Sequence, residues 1–132
     1  MATTRRRLHL RASSLAALLL ALLPAASLAA DYGKAPDVKA VRSAEETALR
    51  SEIPPVQRDV LAVTVSNVVV GGAYAVCSYS VGESAGYSVY ARNPSGAWKR
   101  IGHGGEAPTK ASLRALGVPP RSISVFAAHG GI

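Results

Sequence analysis

"VLAVTVSNVVVGGAYAVCSYSV", residues 60–81, decides the fold. Its first half is dense in β-branched residues, which suit a pleated surface. Gly71-Gly72 is a two-residue hairpin signal, and Ala73–Val81 returns as a second run of strand type. Strands joined so tightly are antiparallel neighbours, because a parallel pair needs a crossover of about a dozen residues or more. The pattern then repeats: "GESAG" (82–86) breaks the chain before "YSVYAR" (87–92), and "NPSG" (93–96) breaks it before "AWKRIG" (97–102). Each break is built from turn-forming residues. A four-stranded antiparallel meander is expected.

Alternation along the strands assigns faces. In the second strand Ala75, Cys77, Tyr79 and Val81 oppose Tyr74, Val76, Ser78 and Ser80. The first set is apolar, so Cys77 faces the core. In the third strand Tyr87, Val89 and Ala91 oppose Ser88, Tyr90 and Arg92; in the fourth, Trp98 and Arg100 oppose Ala97, Lys99 and Ile101.

Helical patterns flank the sheet. In "SAEETALRSEI" (43–53) Ser43 and Glu46 form a capping box, so a helix is expected over Ala44–Glu52, ended by Pro54 and Pro55. Ala44, Ala48 and Leu49 are its apolar residues, and residues 30–42 before it read as a flexible arm. Downstream, "TKASLRALG" (109–117) spaces Leu113 and Leu116 three apart, with Gly117 as a helix-ending residue. Pro120 suits a first helical turn and Ile123 and Phe126 share a stripe, although Ser122–Val125 also alternates as a strand would. The expected class is α+β: an N-terminal helix on a four-stranded antiparallel meander sheet, with a short C-terminal helical segment closing one edge. A cystatin-like or NTF2-like arrangement has that shape, and residues 43–132 make one small domain.

The first residues give an address. "MATTRRRLHLR" is basic, "SSLAALLLALLPAASLAA" is apolar and ends in small residues, and that order is a cleavable export signal over residues 1–29. The apolar run from Leu15 to Leu23 is shorter than the roughly 20 residues a bilayer span needs. A periplasmic or secreted location is therefore expected, with no membrane span once the leader is cut. Four arginines leave with the leader, so 15 basic against 8 acidic residues becomes 11 against 8. What remains is spread from Lys34 to Arg121 without a cluster, which is no footprint for nucleic acid. Cys77 is the lone cysteine, so no internal disulfide can form.

The stretch from Gly72 to Pro120 combines Gly-Ala-Tyr-Ala, Gly-Glu-Ser-Ala-Gly, Gly-Ala-Trp, a Gly-Gly turn and Leu-Arg-Ala-Leu-Gly-Val-Pro. In these pieces it resembles a widespread group of small exported bacterial proteins, some of them labelled copper uptake system-associated. Tyr74, Gly82, Glu83, Gly86, Trp98, Gly104 and Gly117 stand where that pattern places such residues. His103 occupies a position where the group often has cysteine, and the opening "DYGKAPDVKAV" lacks the histidines of some copper-labelled members. The resemblance implies a periplasmic metal-handling accessory.

Residue chemistry offers few constellations. His103, His129, Cys77 and Glu106 are of metal-ligand type and would suit copper or zinc, but Cys77, His103 and His129 are spaced 26 residues apart, so only the fold could assemble them. A Cys77–His103 dyad needs an exposed thiolate, and no Gly-x-Ser-x-Gly elbow is present to begin a serine triad. A non-enzyme is expected. Glu83 at its turn, with Tyr74, Tyr90 and Trp98, are candidate binding residues. The reading is an exported, non-catalytic binding domain without a cofactor, a monomer or weak dimer, for an unidentified protein or small-molecule partner. The alternatives are copper or zinc handling and an exported inhibitor with "NPSG" as its tip.

Overall fold

The computed structural model describes residues 30–132, and the leader expected over residues 1–29 lies outside the described residues. Helix α1 (Ala35–Glu52) and a 3-10 turn at Pro55–Gln57 precede strands β1 (Val63–Gly71), β2 (Tyr74–Val81), β3 (Ser84–Arg92) and β4 (Trp98–Gly104). Helices α2 (Lys110–Ala115) and α3 (Pro120–Ala128) follow. The strands pair in chain order, all antiparallel. The class is the expected α+β one, an N-terminal helix on a four-stranded antiparallel meander with short C-terminal helices.

Two expectations fail at the N-terminal side. Helix α1 starts at Ala35 rather than Ala44, so most of the presumed flexible arm is helix. Pro36 lies in the first turn, where its missing N–H costs nothing, and Asp37 there complements the positive helix end. Val38, Val41, Glu45 and Leu49 form a stripe, three or four residues apart, buried on the sheet. Burying one valine is worth about 1.5–3 kcal/mol, whereas a side-chain cap contributes about 1 kcal/mol. Val38 and Val41 thus outweigh the capping box, and Ser43 and Glu46 end up inside the helix. Ahead of it, Tyr32 forms a parallel bridge to Val69, donating its N–H to the Val68 carbonyl at 2.9 Å and accepting from the Val70 N–H at 2.8 Å.

Apolar clusters occupy both faces of the sheet. On one, α1 buries Val65, Val68, Val70, Ala75, Cys77 and Tyr90. On the other, Val69, Val76 and Val89 meet Leu113, Val118, Ile123 and Phe126. The C-terminal helices therefore cover the second face instead of closing an edge. Gly71 makes this possible: a Cβ there would lie 3.2 Å from both Phe126 and the backbone of Ser122. In β1 the register shifts between Ser66 and Val69, and Asn67 takes the left-handed region with φ 51°. Asparagine tolerates that conformation, and the extra residue returns Val68 and Val70 to the face already held by Val65.

Candidate functional site

Helix α3 packs on β1 and β2, while α2 meets α3 and reaches the β3–β4 half of the same face through Leu113 and Leu116. Helix α2 has six residues and buries only Leu113. Its start is fixed by a reciprocal cap in which Thr109 Oγ1 accepts from the Ser112 N–H while Ser112 Oγ accepts from the Thr109 N–H. So short an element cannot cover two strands. A cleft of about 460 Å³ is left between α2 and the sheet.

The walls of the cleft are mainly apolar. Strand β3 contributes Tyr87 and Val89, whose partners on β4 are Gly104 and Gly102. Directly paired residues share a face, so β4 turns two glycines toward the cleft. At Gly102 a Cβ would lie 2.9 Å from Leu116 Cδ1, so the glycine admits the leucine; at Gly104 it would meet nothing within 4 Å. Ala107, Pro108, Ala115 and Leu116 complete the apolar lining, and Leu116 stays 39% exposed. Thr109 and Ser112 spend their hydroxyls on the cap. Glu106 is the remaining titratable side chain of the lining besides Tyr87, since His103 pairs with Ser88 on the α1 face, and neither His103 nor Glu106 makes an ion pair among the described residues.

The structure separates most of the residues proposed as sites. Glu106 lines the cleft, whereas His103, in the strand that floors it, pairs with Ser88 and so shares the α1 face of the sheet. Cys77 is fully buried beneath α1, as alternation predicts, and burial followed by the nearby Glu45 charge pushes its thiol up to about 12. His129 ends α3 and stacks on Tyr32, ring centroids 3.5 Å apart. Among the described residues no three His, Cys, Asp or Glu side chains gather as a metal site. The proposed aromatic cleft is not formed either. Tyr90 is 1% exposed in the core under α1, Trp98 packs at the margin of that core with Arg92 5.6 Å over its ring, and Tyr74 lies on the opposite face. Glu83 stands exposed at the tip of the β2–β3 hairpin. Of the tyrosines, Tyr87 is the one that lines the cleft.

A polar cluster that sequence reasoning missed lies beneath α1. Glu45, with no exposed surface, accepts from Ser88 Oγ at 2.7 Å, from the Tyr90 hydroxyl, and from Arg100 Nη2 at 2.9 Å. Arg100 also reaches Glu52. Burial and the hydrogen bond to Glu45 hold the Tyr90 hydroxyl protonated well above the usual tyrosine range. Burial opposes the Arg100 charge, but its bonds to Glu45 and Glu52 more than compensate and raise its affinity for the proton. No buried side-chain polar atom is left unpaired among the described residues. The cluster is saturated and closed to ligand. Its signal in sequence was the spacing Val38–Val41–Glu45–Leu49, which puts a carboxylate in a core position once the helix is extended upstream.

No family model, curated protein or solved structure matches the chain.

Proposed function

We propose that this chain is an exported, non-catalytic binding domain whose ligand occupies the cleft between β3–β4 and α2. The observation that carries this reading is the composition of the cleft. Apolar walls surround one carboxylate, Glu106, that no ion pair engages among the described residues, the usual pattern of a binding pocket. Catalysis gains no support from the same groups. Cys77 is buried with its thiol held protonated, and the polar cluster around Glu45 is saturated. The export part of the reading rests on the leader sequence of residues 1–29.

Because Gly104 has open space where a side chain would project, the variant Gly104→Val should fold and occlude the cleft. Screening small apolar amines and aromatic acids against the mature protein by amide NMR should shift Tyr87, Val89 and Leu116, and the shifts should vanish in Gly104→Val at unchanged thermal midpoint. Shifts confined to other surfaces, or surviving the valine, would refute the assignment. A metal-handling role has one observation in its favour, the placement of His103 and Glu106 three residues apart where β4 ends beside the cleft. Submicromolar copper or zinc binding lost in His103→Ala would promote that reading over the first.

A further inference from the structure

Resting on the cleft as the binding site, we infer that its ligand is an extended peptide segment that adds a strand to the free edge of β4 and seats one apolar side chain in the cleft. Strand β4 pairs only with β3 among the described residues. Among the described residues, the backbone of Lys99–Gly104 makes no hydrogen bond outside that pairing. The opposite edge of the sheet differs, since Tyr32 takes the middle of β1 with two backbone bonds. An unpaired row of N–H and C=O groups is a template for another strand.

The cleft lies along this template. Gly102, His103 and Gly104 of β4 all line it. In an added strand, alternate side chains point to the same face as Gly102 and Gly104. Those two residues have no side chain to compete for the space, and Gly104 has nothing within 4 Å of where one would stand. Backbone pairing would supply affinity and the cleft would select the side chain, the division of labour in strand addition. Glu106 at the same cleft adds a charge preference for a lysine or arginine in the segment. A second copy of this chain fits the edge less well, because β4 against β4 would bring the exposed Lys99 of each copy against a strand carrying the same charge, and like charges facing each other across strands are unfavourable.

The probe is a set of blocked octapeptides of threonine and valine carrying at the centre a lysine next to leucine, phenylalanine or alanine. The mature protein is titrated with each, and amide hydrogen exchange is followed by NMR. The leucine or phenylalanine peptide should slow exchange within Lys99–Gly104 and shift Val89 and Leu116. Affinity should fall at least tenfold for the alanine peptide, for Gly104→Val protein, and for the same peptide N-methylated at alternate amides, which keeps every side chain but cannot pair. Replacing the peptide lysine by glutamate should weaken binding in wild type and matter less in Glu106→Gln. Equal binding by the N-methylated peptide, or no β4 protection by any member, overturns the inference. If small apolar molecules still shift Val89 and Leu116, the cleft remains a binding site and only the peptide is wrong; if they do not, both readings fall. Concentration-dependent protection of β4 without peptide would replace the peptide by a second copy.

Discussion

Glu45 occupies a helix position where the neighbouring pattern of Val38, Val41 and Leu49 calls for an apolar residue. Burying a charge is tolerable here because Arg100, Tyr90 and Ser88 together satisfy it. Removing one partner of such a pair costs about 3–5 kcal/mol, mostly because the other is left uncompensated, while replacing both by apolar residues of similar volume is often neutral. Glu45→Leu should therefore lower stability by about 3–5 kcal/mol in urea unfolding, and adding Arg100→Met should recover most of the loss. If the single change were harmless, the cluster would not be holding α1 on the sheet. The raised Tyr90 proton affinity has a sign: its neutral form is favoured in the folded state, so that part of the stability is present below the unfolded tyrosine range and declines above it.

Among the elements, the β2–β3 hairpin separates what sequence shows from what it hides. Its turn is Gly82-Glu83, since Val81 pairs with Ser84 and Gly82 has φ 57°. Gly86 therefore lies inside β3 rather than in the turn. It is opposite Tyr79, and a Cβ there would come within 2.5 Å of the Tyr79 hydroxyl oxygen and 2.4 Å of the Gly104 carbonyl oxygen. Gly86→Ala should destabilise by about 1–3 kcal/mol, as overpacking does, with thermal melting as the measure. Tyr79→Phe should relieve only part of this, because the carbonyl contact remains; an unchanged midpoint would show that the strand relaxes without cost. Local signals therefore made the strands, their order and the inward direction of Cys77 legible, since each depends on turn chemistry and on period-two alternation. The start of α1, the Asn67 bulge and the cleft that α2 leaves over Gly102 and Gly104 were not legible. Each depends on which distant elements meet, and a capping box at Ser43 competed with a longer buried stripe whose partner strands had yet to be placed.

Over the whole molecule, residues far apart in sequence converge beside the β1 bulge. Asp31 accepts from the Val68 N–H at 3.0 Å and pairs with Arg42 at 2.7 Å, Tyr32 stacks on His129, and Asn67 Nδ2 donates to the Gly130 carbonyl at 2.7 Å. Partial burial pushes the Asp31 carboxyl upward, but the Arg42 hydrogen bond, the Val68 N–H and the Arg42 charge together bring it below the usual value. A depressed folded value means that this contribution is present above the ordinary carboxylate range and is lost as pH falls through the folded value. Between pH 5 and pH 2, roughly the range bracketing carboxylate titration, exchange of the Tyr32 and Val70 amides should accelerate before the rest of β1 is affected. Asp31→Asn should open the same amides at neutral pH. Uniform loss of protection along β1 would show instead that this corner has no independence.

This corner also sets how the domain would carry a load. Tension applied between residues 31 and 132 does not run the length of the sheet. It passes through the Asp31 bonds to Arg42 and the Val68 N–H, the two Tyr32 backbone bonds, the Tyr32–His129 ring stack and the Asn67–Gly130 contact, gathered beside the β1 bulge. Those contacts would yield in succession, by peeling, while the ladders from β2 to β4 remained unstressed. Pulled by its ends, the domain is soft at the seam and stiff in the body.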